Sequence, residues 1–243
     1  MSPRRLLTSV LVCTVLGFVP AGAVTITQID TFQDGTTNGW IINLLGMGNP
    51  PANTIPSNVA TGGPAGAGDR YLLLRSSGIE GAPGGRLVGI NASQWTGDYL
   101  AAGITGLVMD VNNFGPTDLV LRLLIAGPAN PMGPPFNIVV STNGVPVPNG
   151  SGWTRISFPI GLSAFDALSG TVAGALTNAI ELRIFHNPFA SDPAAAVVAS
   201  LGVDNISAVP EPESLLLIAA GCFVLGLLRR RLGSKNADRA DPQ

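Results

Sequence analysis

Between residues 24 and 208 the chain alternates apolar and polar positions over short stretches. The clearest run is 153–158, where Thr154, Ile156 and Phe158 fall on one side and Trp153, Arg155 and Ser157 on the other. Ile180, Leu182 and Ile184 set against Glu181 and Arg183 repeat the pattern. A period of two buries one face of a strand and wets the other. Other β-branched or leucine-rich stretches are 24–32, 70–75, 86–90, 106–112, 119–125, 137–141 and 200–208, with Gly, Pro, Asn and Asp clustered between them. Together they predict an all-β body, a two-sheet antiparallel β-sandwich. Helical spacing is confined to 162–168, where Ser163 is placed to cap a turn, and to 172–176. Segments 43–69 and 126–137, dense in Gly, Pro, Asn and Ala, predict long loops.

Both ends of the chain depart from this alternation. Residues 1–23 have the layout of a secretory signal peptide: Arg4 and Arg5, then a nearly continuous apolar stretch, then the small residues Ala21, Gly22 and Ala23 as a cleavage site, so that the mature chain starts at Val24. Near the other end, residues 215–228 are apolar. As a helix of about 14 residues they cover about 21 Å, short of a hydrocarbon core of about 30 Å. Arg229, Arg230 and Arg231 follow and would stay on the cytoplasmic side, with everything before them outside. The expected organisation is a signal peptide (1–23), a β-sandwich domain (24–208), a sorting segment (209–231) with a short transmembrane helix, and a polar cytoplasmic tail (232–243).

Val209, Pro210, Glu211 and Pro212, the apolar run and the arginine cluster together resemble the PEP-CTERM sorting signal of Gram-negative bacteria. The resemblance implies that an exosortase processes the chain near the Pro-Glu-Pro. It also implies export across the inner membrane, transient anchoring there, and delivery to the cell surface or extracellular matrix in association with exopolysaccharide. The polar tail beyond the arginines departs from the family's pattern. A permanently membrane-anchored surface protein is the alternative.

With the ends set aside, the body is mildly acidic and contains no lysine. It lacks the clustered Lys and Arg that nucleic-acid binding rests on. Cys13 lies in the signal peptide and Cys222 in the apolar run, so the exported body can form no disulfide and relies on core burial.

Catalytic patterns are sparse. His186 is the only histidine, ahead of Asn187 and Pro188 where a hydrogen-bonded edge residue is expected, and no G-x-S-x-G occurs. The Gly-rich stretch 61–69 precedes a strand and lacks the lysine of a phosphate loop. Residues 30–40, 68–75 and 201–209 resemble the first, second and last strands of galactose-binding-like jelly rolls, a fold shared by many carbohydrate-binding modules. That resemblance implies a structural calcium joining the opening loop to the final strand, with Asp34 and Asp204 as candidate ligands and Asp30 and Asp69 as lesser ones. Calcium needs six to eight hard oxygens, and Asp204, inside an apolar strand, would be costly to bury unpaired. Sugar rings stack on exposed aromatics, and Trp95 and Tyr99, four apart in a polar segment, are the candidate glycan-binding pair, whereas Trp40 and Trp153 read as core. The expected protein is a non-enzymatic, exported surface component that binds glycan. A secreted polysaccharide hydrolase, needing two carboxylates converging in one cleft, is the competing class.

Overall fold

A computed structural model of the chain describes residues 23–42 and 49–210. The strands in chain order are β1 (Ile29–Asp30), β2 (Trp40–Ile41), β3 (Ser57–Val59), β4 (Tyr71–Ser77), β5 (Val88–Asn91), β6 (Ile104–Pro116), β7 (Leu119–Gly127), β8 (Asn137–Ser141), β9 (Val145–Val147), β10 (Thr154–Pro159), β11 (Phe165–Ser169), β12 (Glu181–His186) and β13 (Val198–Pro210), with one helical element, α1 (Val172–Thr177), and a 3-10 turn at Ala52–Thr54. They form two antiparallel sheets, a jelly-roll sandwich. The first runs β10-β6-β13-β4-β3 with β1 also on β13; the second runs β11-β8-β7-β12-β5-β2 with β9 also on β7.

The alternation seen in the sequence places the core. Leu72, Leu74, Leu107, Met109, Val111, Ile156, Phe158, Leu201 and Val203 point from the first sheet, and Leu121, Leu123, Ile125, Val139, Leu182 and Ile184 from the second, into one buried cluster. The outer face of the second sheet holds a smaller cluster of Leu124, Ala126, Val140, Phe185 and Ala194. The segment after β12 is held near it by Arg122, whose buried guanidinium donates to the carbonyls of Ser141, Thr142, Asn187 and Pro188.

The centre of the first sheet is β13. One side of it pairs with β6 along nearly its whole length; the other side is shared, with β4 taking Val198 to Val203 and β1 taking Ile206 and Ser207. The changeover falls at Asp204–Asn205, where the register against β6 shifts and Asn205 adopts φ 50°. A bulge here lets one strand serve two partners in succession.

Two expectations change. Residues 162–168 do not wind: Phe165–Ser169 is a strand paired with β8, because Phe165 drops into the core while Leu162 and Leu168 stay exposed and Asp166 accepts from Thr142 Oγ1. The Leu162, Phe165, Leu168 spacing imitates a helical stripe, but only one of the three is buried. The expected loop 43–69 contains β3 and the 3-10 turn in its described part. The turn expected at 172–176 is α1, capped by Thr171, whose Oγ1 accepts from Gly174 N at 3.0 Å.

Val24 is buried and donates its N–H to Thr96 O at 2.7 Å. Residues 1–22 of the expected signal peptide, and the sorting segment after Pro210 with its apolar run, arginines and polar tail, lie outside the described residues. Among the described residues, no helix is long and apolar enough to cross a membrane.

Candidate functional site

Three aromatic residues gather on the outer face of the first sheet, while Phe136 (55% exposed) and Phe189 (75%) stand apart on segments flanking the second sheet. Along β4, Tyr71, Leu73 and Arg75 point away from the core; along β6, Asp110, Asn112 and Phe114 do so. Trp153 and Arg155 continue the row at β10. The rings of Tyr71, Phe114 and Trp153 form a cluster, with centroids 5.1 Å apart for Tyr71–Trp153, 5.9 Å for Tyr71–Phe114 and 6.3 Å for Phe114–Trp153. Trp153 stands edge-on to both partners. Phe114 is 47% exposed and Trp153 half-buried, while Tyr71 is largely covered.

The seat of this cluster is Gly202, on β13 between Asn112 of β6 and Leu73 of β4. A Cβ there would come within 2.8 Å of the Trp153 ring and 3.0 Å of the Phe114 ring. The missing side chain is what lets both rings approach the sheet at this point. Trp153 is further fixed by its Nε1–H, which donates to Gly62 O at 2.8 Å and so ties the Gly-rich 61–69 loop to the aromatic cluster.

Beside the rings lies an acidic group. Asp204 pairs across the ladder with Asp110 and is wholly buried. Its Oδ1 accepts from Asn205 N at 2.8 Å, and its Oδ2 has no partner. Burial pushes its carboxyl up to about 7; the Asn205 N–H works against this, and the nearby carboxylates of Asp69 and Asp110 add to it. Asp110 is better placed: Oδ2 accepts from Asn205 Nδ2 at 2.8 Å, and Oδ1 lies 4.0 Å from Arg155 Nη1.

The sequence-predicted residues fall elsewhere. Trp95 and Tyr99 are both 0% exposed, which corrects their assignment as a sugar-stacking pair: no ring face is open. Trp95 is inside because its Nε1–H, together with that of Trp40, donates to Asp30 Oδ2, each at 2.8 Å, while Gln94 Nε2 reaches both oxygens of the same carboxylate. Tyr99 is inside because its hydroxyl donates to Trp95 O at 2.8 Å; burial raises its phenol well above the usual range. Trp153, read as core, is the tryptophan at the surface.

The calcium pair is not assembled either. Asp34 accepts from Thr36 N and Thr36 Oγ1 within its own turn. The carbonyls of Phe32 and Thr36, which a cation bridging this loop could use, are both bonded to Asn58 Nδ2, and Gln33 Nε2 donates to Asp69 Oδ1. Amide hydrogen bonds therefore join the opening loop to the sheet, and no group of three or more acidic, His or Cys side chains gathers around one point among the described residues. The unpartnered Asp204 oxygen fits a cation, but the rest of the ligand set does not.

Nor is Asp204 placed for catalysis. Asp204 reaches no solvent, so it cannot protonate a bound leaving group. A cavity of about 210 Å³ at the edge of the second sheet is lined by Ile42, Pro50, Ala82, Pro83, Gly84, Arg86 and Val88, with no carboxylate among them. His186 Nδ1 accepts from Val120 N at 2.9 Å, and burial lowers its pKa, which keeps the ring neutral and structural.

Comparison with known proteins follows these features. Residues 208–231 match the PEP-CTERM protein-sorting motif. No curated protein matches the chain at a significant level. Among solved structures the chain is similar to a family 11 carbohydrate-binding module from Clostridium thermocellum in complex with a β-1,3-1,4-mixed-linked tetrasaccharide, at 16% identity over 64% of this chain and 82% of that one, with TM-score 0.43. It is also similar to CBM28, a carbohydrate-binding module specific for non-crystalline cellulose (12% identity, 79% of this chain, 99% of that one, TM-score 0.43), and to an exo-β-agarase (12%, 77% and 25%, TM-score 0.49).

Proposed function

We propose that this exported, sorting-signal-bearing protein is a non-enzymatic surface component that holds exopolysaccharide through the outer face of its first sheet, with Trp153 and Phe114 as the sugar platform. The observation that carries the reading is the ring cluster seated on Gly202, half open to solvent and flanked by Asn112, Asp110, Arg155 and Arg75. Pyranose rings present apolar C–H faces to aromatic surfaces and hydroxyls to amide, carboxylate and guanidinium groups, and this face offers both kinds of partner side by side. In this reading the signal peptide is removed before Val24 and an exosortase cuts within or just after the Val209–Pro212 motif. The cell of origin is then a Gram-negative bacterium.

The test is affinity electrophoresis of the purified chain in gels containing the producer's own exopolysaccharide. Trp153→Ala and Phe114→Ala are expected to abolish retardation, because loss of one stacking ring removes about 1–3 kcal/mol of binding. Trp95→Phe, at a buried site, is expected to leave it unchanged. Equal retardation of wild type and Trp153→Ala would sink the site assignment, and no retardation of the wild type would sink the function.

A further inference from the structure

The end of the sandwich at which β13 finishes is unlike the rest of the surface. Four segments meet there. Pro210 pairs with Ile104 and Val209 with Gly106; Gln28 O accepts from Ala208 N; and Ile160 N donates to Thr105 O. Residues 23–29, 99–106, 158–165 and 207–210, which build this end, contain no charged side chain; Asp98, at the foot of the Leu100 turn, accepts from Ala101 N, and Asp166 follows Phe165. Three turns project from it, and each carries an exposed aliphatic tip: Ile26 (37% exposed), Leu100 (37%) and Leu162 (59%). The far end of the same sheet, where β4 ends and β13 begins, carries Glu80, Arg86 and Asp118 instead.

The length of the following chain limits what can lie against this end. Strand pairing persists to Pro210, and the apolar run begins at Leu215. Five Cα-to-Cα steps span at most about 17 Å in any conformation. The headgroup layer takes up roughly 5–7 Å of that on one side of a bilayer. At most about 10–12 Å remains, which keeps the domain close to the surface.

We infer that this end of the sandwich is a lipid-facing surface, on which Ile26, Leu100 and Leu162 rest in the outer headgroup layer while the chain is still anchored. The inference rests on the reading that residues 215–228 enter the membrane. The strand delivering the sorting motif then also fixes the domain's orientation, upright with its glycan face along the side. Aliphatic tips suit the boundary between headgroups and acyl chains, where binding scales with buried apolar area.

The body has no cysteine of its own, so one can be introduced with Cys13→Ser and Cys222→Ala as background. The full chain would be reconstituted in phosphatidylethanolamine–phosphatidylglycerol vesicles containing a nitroxide-labelled lipid. Fluorophores would be attached at Leu162→Cys and, as the far-end reference, at Asn149→Cys. We expect quenching about threefold stronger at 162 than at 149. With Leu100→Asp and Leu162→Asp present, a probe at Ile26→Cys should drop to the far-end level. Equally weak quenching at both ends, on protein that floats with the vesicles, overturns the proposal and leaves the membrane reading standing. Protein that does not float overturns both. Quenching at 162 that needs co-reconstituted exosortase also overturns it, because the partner is then a protein.

Discussion

Asp30 shows how one carboxylate can decide what the large residues around it do. It is buried and accepts from two indole N–H groups and the Gln94 amide. Asp30→Ala strands these donors in the core; at about 1–3 kcal/mol for each unsatisfied group, we expect a loss of about 3–5 kcal/mol, read as a lower urea midpoint. Nothing in the local sequence marks Trp95 for burial: its polar neighbours suggested the surface, and the residue that draws it inward is 65 positions away. Asp204 makes the complementary prediction. Its folded pKa, pushed up to about 7 from 3.8, means that the folded chain holds a proton which the unfolded chain has released. Its contribution is therefore full below the unfolded value and is lost as pH rises through about 7. Thermal melts should show stability declining between pH 4 and 8. Asp204→Asn should flatten that slope and raise the melting temperature at pH 8.

At the scale of elements, the strands were legible because period-two alternation is a direct consequence of one buried face. The runs at 153–158 and 180–184 fall on β10 and β12 with Ile156, Phe158, Leu182 and Ile184 inward as expected, whereas Thr154 is exposed and Glu181, expected on the wet face, is buried and paired with Arg183. Edge elements were less legible: β2, β3 and β9 are two or three residues long, too short to carry a period. The candidate site was hidden for a related reason. Gly202 and Trp153 are adjacent only because β10, β6 and β13 pair in this register, which no local pattern states. That seat gives a clean test: Gly202→Val drives a branched side chain under both rings. It should cost only about 1–3 kcal/mol, because the outer face can yield. Retention by exopolysaccharide should nevertheless be lost, and acrylamide should quench tryptophan fluorescence more readily as Trp153 lifts.

For the whole molecule, the placement of β13 matters more than any single contact. It is the last strand in the sequence and the central one in its sheet, paired with β6, β4 and β1. A chain ending at Val197 lacks the member that joins β6 to β4, so it should show no cooperative unfolding transition and be digested rapidly by protease. In an exported chain this ordering acquires a meaning in time. A polypeptide threading outward from its N-terminus cannot close the first sheet until residue 210 has cleared the pore, and the apolar run follows within a few residues. Completion of the sandwich and arrest of translocation are thus nearly simultaneous.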